Sequence, residues 1–110
     1  MDLPKKLLIN REDWAVAWDH TDSRWGSASY DSHIIGICST LSPRLKLSTL
    51  CHELVHIFLF ESGAEHEGKL HIKDMEGMCN AIGNQLANFV EDNLVWQESL
   101  DEAVRAYKAR

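Results

Sequence analysis

The sequence lacks the features that mark membrane, secreted and nucleic-acid-binding proteins. No apolar run approaches the roughly 20 residues that cross a bilayer, and the stretch MDLPKKLLINRED contains no apolar segment of signal-peptide length. Acidic residues outnumber basic ones 17 to 11, so the formal net charge is −6 and a basic footprint for nucleic acid is absent overall. We therefore expect a cytoplasmic protein without a membrane or nucleic-acid partner.

Cysteine is scarce and irregularly spaced. The three cysteines, Cys38, Cys51 and Cys79, form no C-x-x-C pair. An odd count in a chain with no secretory signal predicts reduced, buried thiols rather than a disulfide framework. Repeats, low-complexity tracts and linkers are also absent, and 110 residues suit one compact domain. We expect residues 1–110 to form a single domain.

The composition of the chain changes near residue 42. Residues 1–42 are rich in strand signals and residues 43–110 in helical ones, which predicts an α+β fold. The predicted strands are KKLLIN, WAVAWD, WGSASY and SHIIGIC. The YDS segment between the last two is typical of a hairpin turn. We expect a small, largely antiparallel sheet.

Three helices are predicted in the second half. Ser42 as N-cap, Pro43 at the first helical position and Gly63 as stop bound the first helix. The second helix covers about residues 74–91, and a short third helix begins near Ser99 with a capping box. The predicted apolar stripes are Leu47, Leu50, Cys51, Leu54, Val55, Phe58 and Leu59 in the first helix, and Met75, Met78, Cys79, Ile82, Leu86, Phe89 and Val90 in the second.

The segment HELVH in the first predicted helix contains the residues best suited to bind a metal ion and to catalyse hydrolysis. His52 and His56 are one helical turn apart, so both imidazoles can reach one Zn²⁺ ion. Glu53 follows the first histidine and can act as general base on a water that the metal activates. This is the H-E-x-x-H pattern of zinc hydrolases.

A catalytic zinc site needs a third protein ligand. Glu76 on the second helix is the preferred residue, and it would complete a site of two histidines and one glutamate. His71 in the preceding loop is the main alternative, and Asp74 and His66 are further ones. An ordinary first-turn glutamate, favoured by the helix dipole, is the competing interpretation of Glu76.

Two further observations bear on the third ligand. The extended pattern H-E-x-x-H-x-x-G-x-x-H fails, because Leu59 and Ser62 occupy its glycine and third-histidine positions. Gly83 lies on nearly the same helical face as Glu76, and a residue without a side chain there would let the second helix approach the first closely.

These segments resemble a known family. TLCHELVHIFLFESG, followed by DMEGMCNAIGNQLANFVEDN, is similar to the small zincin-type proteins of bacteriophages and prophages, which are related in outline to ImmA/IrrE and SprT-like metallopeptidases. The resemblance covers residues 34–93. It implies a zincin-like fold, His52, His56 and Glu76 as zinc ligands, and Glu53 as catalytic acid and base. It also implies a bacterial host cell as the location.

Two features of the resemblance concern the substrate and the third ligand. SprT-like proteases take a third histidine from the loop, and His71 is compatible with that, but Ile72 stands where their glycine follows. In zincins an edge strand near the site binds the extended substrate by strand addition. The strand expected to do so comprises Ile34, Ile35, Gly36 and Ile37.

The leading functional hypothesis is a zinc metallopeptidase with a protein or peptide substrate. Tyr30, His66 and His71 are candidates for a second electrophilic group beside the metal. The alternative is a zinc-bearing regulatory or binding module of phage origin with little or no protease activity, because 110 residues leave little material for a deep cleft. A structural zinc site is a third possibility, but such sites favour cysteine-rich ligand sets and would leave Glu53 without a role.

Overall fold

The computed structural model describes residues 3–19, 24–63, 72–93 and 104–109, and these form a mixed α+β fold. The elements are β1 (Lys6–Ile9), β2 (Glu12–Asp19), β3 (Gly26–Ser29), β4 (Ile34–Cys38), α1 (Pro43–Glu61) and α2 (Ile72–Asp92). Residues 104–108 are also helical, whereas the predicted start of that helix at Ser99 lies outside the described residues. None of the described helices is long and apolar enough to cross a membrane.

The four strands form one mixed sheet in the order β1-β2-β4-β3. The two outer pairings, β1 with β2 and β3 with β4, are antiparallel as predicted. The central pairing of β2 with β4 is parallel, which the strand signals did not predict. The expected hairpin joins β3 to β4 through residues 30–33.

The prediction that Ile34, Ile35, Gly36 and Ile37 form an edge strand is wrong. β4 pairs with β2 on one side and β3 on the other, so its backbone hydrogen-bonding groups are already used. Burial explains the order: Ile35 and Ile37 are fully buried in the core, so the most apolar strand takes an interior position. The edge beside α1 belongs instead to β3, whose sequence is GSAS.

Helix α1 begins and ends as the sequence predicts. The Ser42 hydroxyl accepts a hydrogen bond from the Leu45 backbone N–H at 3.3 Å, and Pro43 occupies the first turn. Gly63 follows the C-cap residue Ser62 with a φ of 81°, a left-handed conformation that glycine adopts without steric cost. These caps fix where the helix starts relative to the sheet.

Helix α1 is buried on more than one face, so its single predicted apolar stripe is too narrow. One side packs on β3 and β4 and another on α2. Ile57, outside the predicted stripe, is fully buried, whereas Phe58 is exposed. The sheet-side core consists of Ile9, Trp14, Ile35, Ile37, Leu50 and Ile57, and the α2-side core of Leu47, Cys51 and Ala87.

Helix α2 packs through smaller residues than predicted. Its buried positions are Cys79, Gly83 and Ala87, spaced four residues apart, whereas Ile82 and Phe89 of the predicted stripe are exposed. Small side chains on that line let the two helix backbones come close together, which large apolar residues would prevent. This close approach positions Glu76, as described next.

Candidate metal centre

His52 and His56 converge on one point at the surface of α1. Their Nε2 atoms lie 3.1 Å apart, and their ring centroids are 4.8 Å apart with planes at 62°. The two side chains are only 19% and 11% exposed. The spacing of one helical turn, together with burial against the rest of the fold, therefore orients both imidazoles toward a shared position.

The carboxylate of Glu76 reaches the same point from α2. Its Oε1 atom lies 2.7 Å from Nε2 of His56, and its Oε2 atom lies 3.4 Å from Nε2 of His52. The Glu76 side chain remains 55% exposed, so solvent and small ions have access to the cluster. The structure thus brings together the three residues that the sequence nominated as ligands.

Gly83 determines how closely α2 can approach this part of α1. A Cβ atom at position 83 would lie 2.9 Å from both the Cα and the backbone nitrogen of His52, which is too close for a real contact. Only glycine permits this spacing. The prediction that Gly83 allows a close approach of the two helices is confirmed, and the contact falls on His52, one of the candidate ligands.

The three side chains of the cluster lie close enough together to hold one metal ion. Two ligand atoms that are each about 2.0–2.1 Å from a zinc ion lie about 3.3–3.4 Å apart at the tetrahedral angle. The two imidazole nitrogens are 3.1 Å apart, and the distances of 2.7 and 3.4 Å involve different oxygens of Glu76, Oε1 and Oε2. With one ligand atom from each residue, the three atoms lie within 4.8 Å of one another, so the ligand atoms would have to shift to reach these spacings. His₂Glu is also the ligand set of many catalytic zinc sites. Among the described residues, this is the group of histidine and carboxylate side chains that can hold a metal ion.

Glu53 lies beside the cluster in a different environment from Glu76. Its side chain is buried at 7% exposure. Burial, with a contribution from the nearby Glu76 carboxylate, raises the pKa of Glu53, while His52 and Arg24 act in the opposite direction. A carboxyl group with a raised pKa can both accept and return a proton, which is the property required of an acid and base catalyst.

The cluster opens into a cleft of about 290 Å³ between the helices and the sheet edge. One wall carries His52, Glu53, His56 and Glu76. The other is β3, with Gly26, Ser27 and Ala28, flanked by Arg24 and Tyr30. β3 is the edge strand on this side, so one of its two edges is not paired with another described strand, and its residues line the space beside the cluster. We refer to this space as the cleft.

The remaining nominated residues have mixed outcomes. Tyr30 lines the cleft, where its ring stacks on Phe60 with centroids 4.1 Å apart. Asp74 is exposed and does not join the group that could hold a metal ion. His66 and His71 lie outside the described residues, so their nomination as ligand or electrophile stays a prediction.

The sequence interpretation missed two residues that line a neighbouring pocket, Asn80 and Asn84. With Glu76 they recur every fourth residue, which places all three on one face of α2. That spacing was visible in the sequence, but it was overlooked because the adjacent apolar residues seemed to define the packing face.

Comparison with known proteins adds no family or structural relative. No protein-family model matches this chain, and neither the curated proteins nor the solved structures gave a match.

Proposed function

We propose that this protein is a zinc-dependent metallopeptidase. The observation that carries the proposal is the convergence of His52, His56 and Glu76, with one potential ligand atom from each within 4.8 Å of the others, beside the buried carboxyl group of Glu53. His52, His56 and Glu76 would hold the ion. Zinc in such a site acts as a Lewis acid that polarises the carbonyl and lowers the pKa of water to about 7.

The role of Glu53 follows from the position and burial of its carboxyl group. As a general base, Glu53 accepts a proton from the water whose oxygen attacks the peptide carbonyl carbon. As the C–N bond breaks, the same carboxyl group donates that proton to the departing amine nitrogen. The products are a carboxylic acid and an amine, Glu53 returns to its initial state, and transfer of the acid's proton to the amine gives a carboxylate and an ammonium group. Burial favours the protonated form that this second step needs.

The edge strand β3 supplies a way to hold the substrate. A peptide that pairs with the outer edge of Gly26–Ser29 would lie along the cleft, with its backbone beside the metal-binding side chains. This assignment replaces β4, whose two edges are both paired. Main-chain hydrogen bonds of this kind bind a peptide largely independently of its sequence.

The presence of Glu53 also favours the hydrolase hypothesis over that of a zinc-bearing binding module. A module that only binds a partner through zinc needs three ligands but no base. A buried carboxyl group costs free energy relative to an amide or apolar residue of similar size, because burial disfavours its charged form. Retaining Glu53 next to the cluster therefore favours a catalytic role for it.

The test compares Glu53→Gln with wild type, both loaded with Zn²⁺. We expect equal zinc stoichiometry by elemental analysis. We also expect a fall in the rate of peptide cleavage of about 10²- to 10⁴-fold, the usual contribution of a positioned acid and base. Cleavage is measured by mass spectrometry on a mixture of unstructured peptides.

Glu61→Gln is the matched control, because Glu61 is exposed near the end of the same helix, where it accepts a hydrogen bond from Asn10. It should cleave like wild type. Wild-type rates in Glu53→Gln would refute the role of Glu53. If wild type cleaves no faster than the chelator-treated protein, the hydrolase proposal fails and the binding module becomes the better hypothesis.

A further inference from the structure

A second pocket of about 510 Å³ adjoins the cleft on the far side of His52. Gly26, His52 and Glu53 line both spaces, so the two are adjacent. The outer walls are formed by Trp25 before β3, by Leu45, Ser48 and Thr49 in the first turns of α1, and by Asn80 and Asn84 of α2. We call this space the side pocket. Its volume falls within the range of about 300–1,000 Å³ that is common for ligand sites.

The chemistry of the side pocket is polar but uncharged. Two carboxamides and two hydroxyls offer hydrogen-bond donors and acceptors, while Trp25 and Leu45 offer apolar surface. Trp25 is 59% exposed, which leaves its ring available to a ligand. Of the described residues that line the pocket, only His52 and Glu53 are titratable, and both lie at the end shared with the cleft. A charged group in the outer part would find no opposite charge among the described lining residues.

The side pocket is held at a fixed distance from the metal-binding cluster. Asn84 follows Gly83, whose backbone lies against that of His52. Asn80 lies on the same face of α2 between Glu76 and Asn84, one helical turn from each. The helix that contributes the third candidate ligand therefore also contributes the polar wall of the pocket.

We propose that the side pocket is a specificity subsite that accepts an uncharged side chain with a broad apolar body and a hydrogen-bonding end, such as tyrosine or glutamine. The apolar body would pack on Trp25 and Leu45, and the polar end would bind the carboxamides of Asn80 and Asn84. This inference rests on the proposed function, because the cluster that would cleave the peptide forms the inner end of the pocket.

The direction of β3 indicates whether the side pocket would bind a substrate residue before or after the cleaved bond. β3 runs from Gly26, which borders the side pocket, toward Tyr30 at the other end of the cleft. A substrate paired antiparallel to β3 runs the opposite way and reaches the side pocket after passing the cluster. The subsite would then accept a residue on the C-terminal side of the cleaved bond.

The subsite is tested by moving a charge into it and measuring binding rather than turnover. The parent protein is Glu53→Gln loaded with Zn²⁺ and immobilised, and the probe is a random-sequence peptide library whose retained members are identified by mass spectrometry. The parent should enrich peptides that contain tyrosine or glutamine. Adding Asn84→Asp should enrich lysine- and arginine-containing peptides about threefold to tenfold over the parent, as expected for a partly exposed charge pair.

Gln85→Glu is the matched control, because it adds the same charge at the next position of α2 but outside the side pocket. Gln85→Glu should retain the same set of library peptides as the parent protein. Asn80→Asp is a second charge variant, expected to act in the same direction as Asn84→Asp. Zinc stoichiometry and circular dichroism verify that each variant is folded and loaded.

The outcomes separate the subsite from the hydrolase. If Asn84→Asp and Gln85→Glu retain the same set of peptides, the subsite proposal is refuted. It is also refuted if the parent retains no library peptide, even when the wild-type protein cleaves peptides. A shift toward basic peptides with no cleavage by wild type would support the subsite and refute the hydrolase, leaving a zinc-bearing module that binds peptides.

Discussion

The two walls of the cleft differ in what they contribute. The helical wall carries four side chains that could bind a metal ion or transfer a proton. They lie on two helices in close contact and are His52, Glu53, His56 and Glu76. The sheet wall, β3, offers small residues, so its contribution is open space and backbone hydrogen-bonding groups. Under the proposed function, the helices would supply the reactive groups and the sheet edge would determine what can lie against them.

Each wall has one glycine at the point of closest approach. On the helical side a Cβ at Gly83 would meet the His52 backbone at 2.9 Å. On the sheet side a Cβ at Gly26 would meet Thr49 Cγ2 at 2.5 Å as its nearest atom, then the backbone oxygen of Gly36 at 3.2 Å and Glu53 Cγ at 3.4 Å. A backbone neighbour cannot move alone, whereas a side-chain methyl can be removed by substitution. Variants at these two positions therefore test the two walls separately.

The largest expected effect on the helical wall comes from Glu76→Ala. Loss of a ligand should lower zinc affinity by more than the roughly 10- to 100-fold that follows loss of a residue hydrogen-bonded to a ligand. Competition with a chromophoric chelator measures the affinity. Asp74→Ala removes the same charge from the same helix and should keep wild-type affinity. Wild-type affinity in Glu76→Ala, with a loss in His71→Ala, would assign the third ligand to His71 instead.

A smaller effect is expected from Gly83→Ala, compared with Gly77→Ala. Both substitutions gain the helix propensity of alanine, but a Cβ at Gly77 has no neighbour within 4 Å. The propensity gain cancels in the comparison, so Gly83→Ala should be less stable than Gly77→Ala by about 1–3 kcal/mol, the usual cost of overpacking.

The free energy of unfolding is measured by denaturant titration in the presence of chelator. Zinc affinity should also fall in Gly83→Ala, because α2 must move away from His52 together with Glu76. Equal stability of the two alanine variants would mean that the helices are not in close contact at Gly83.

The smallest expected effect is on the sheet wall. Gly26→Ala should lower the free energy of unfolding through its contact with Thr49 Cγ2, and Thr49→Ser, which removes that methyl, should restore part of the loss. We expect a favourable coupling of about 0.5–1.5 kcal/mol in the double-mutant cycle, measured by the same denaturant titration. Strictly additive effects would show that β3 does not rest on α1 at this point.

Local patterns in the sequence were sufficient for part of the fold and most of the candidate site. The cap at Ser42, the stop at Gly63 and the one-turn spacing of His52 and His56 depend only on neighbours along the chain, so they could be predicted. Glu76 could be nominated because a metal site limits the possible ligands to few residue types.

Features that depend on distant contacts were missed. The sequence of β4 does not reveal whether β2 or solvent lies beside it, so its interior position was not predicted. The exposure of Phe58 likewise depends on where α2 packs against α1. For Asn80 and Asn84 the four-residue spacing was present, but their role became apparent only once β3 and α1 enclosed the side pocket.

The packing contact between α1 and α2 affects the stability of the domain. The helices meet there through the small residues Cys79, Gly83 and Ala87, which bury little apolar surface each. An ion held by His52, His56 and Glu76 would act as a cross-link between them, adding about 2.7 kcal/mol when its concentration is 100 times its dissociation constant. Removing the metal would then loosen the wall that shapes the side pocket, so peptide selectivity and thermal resistance would decline together.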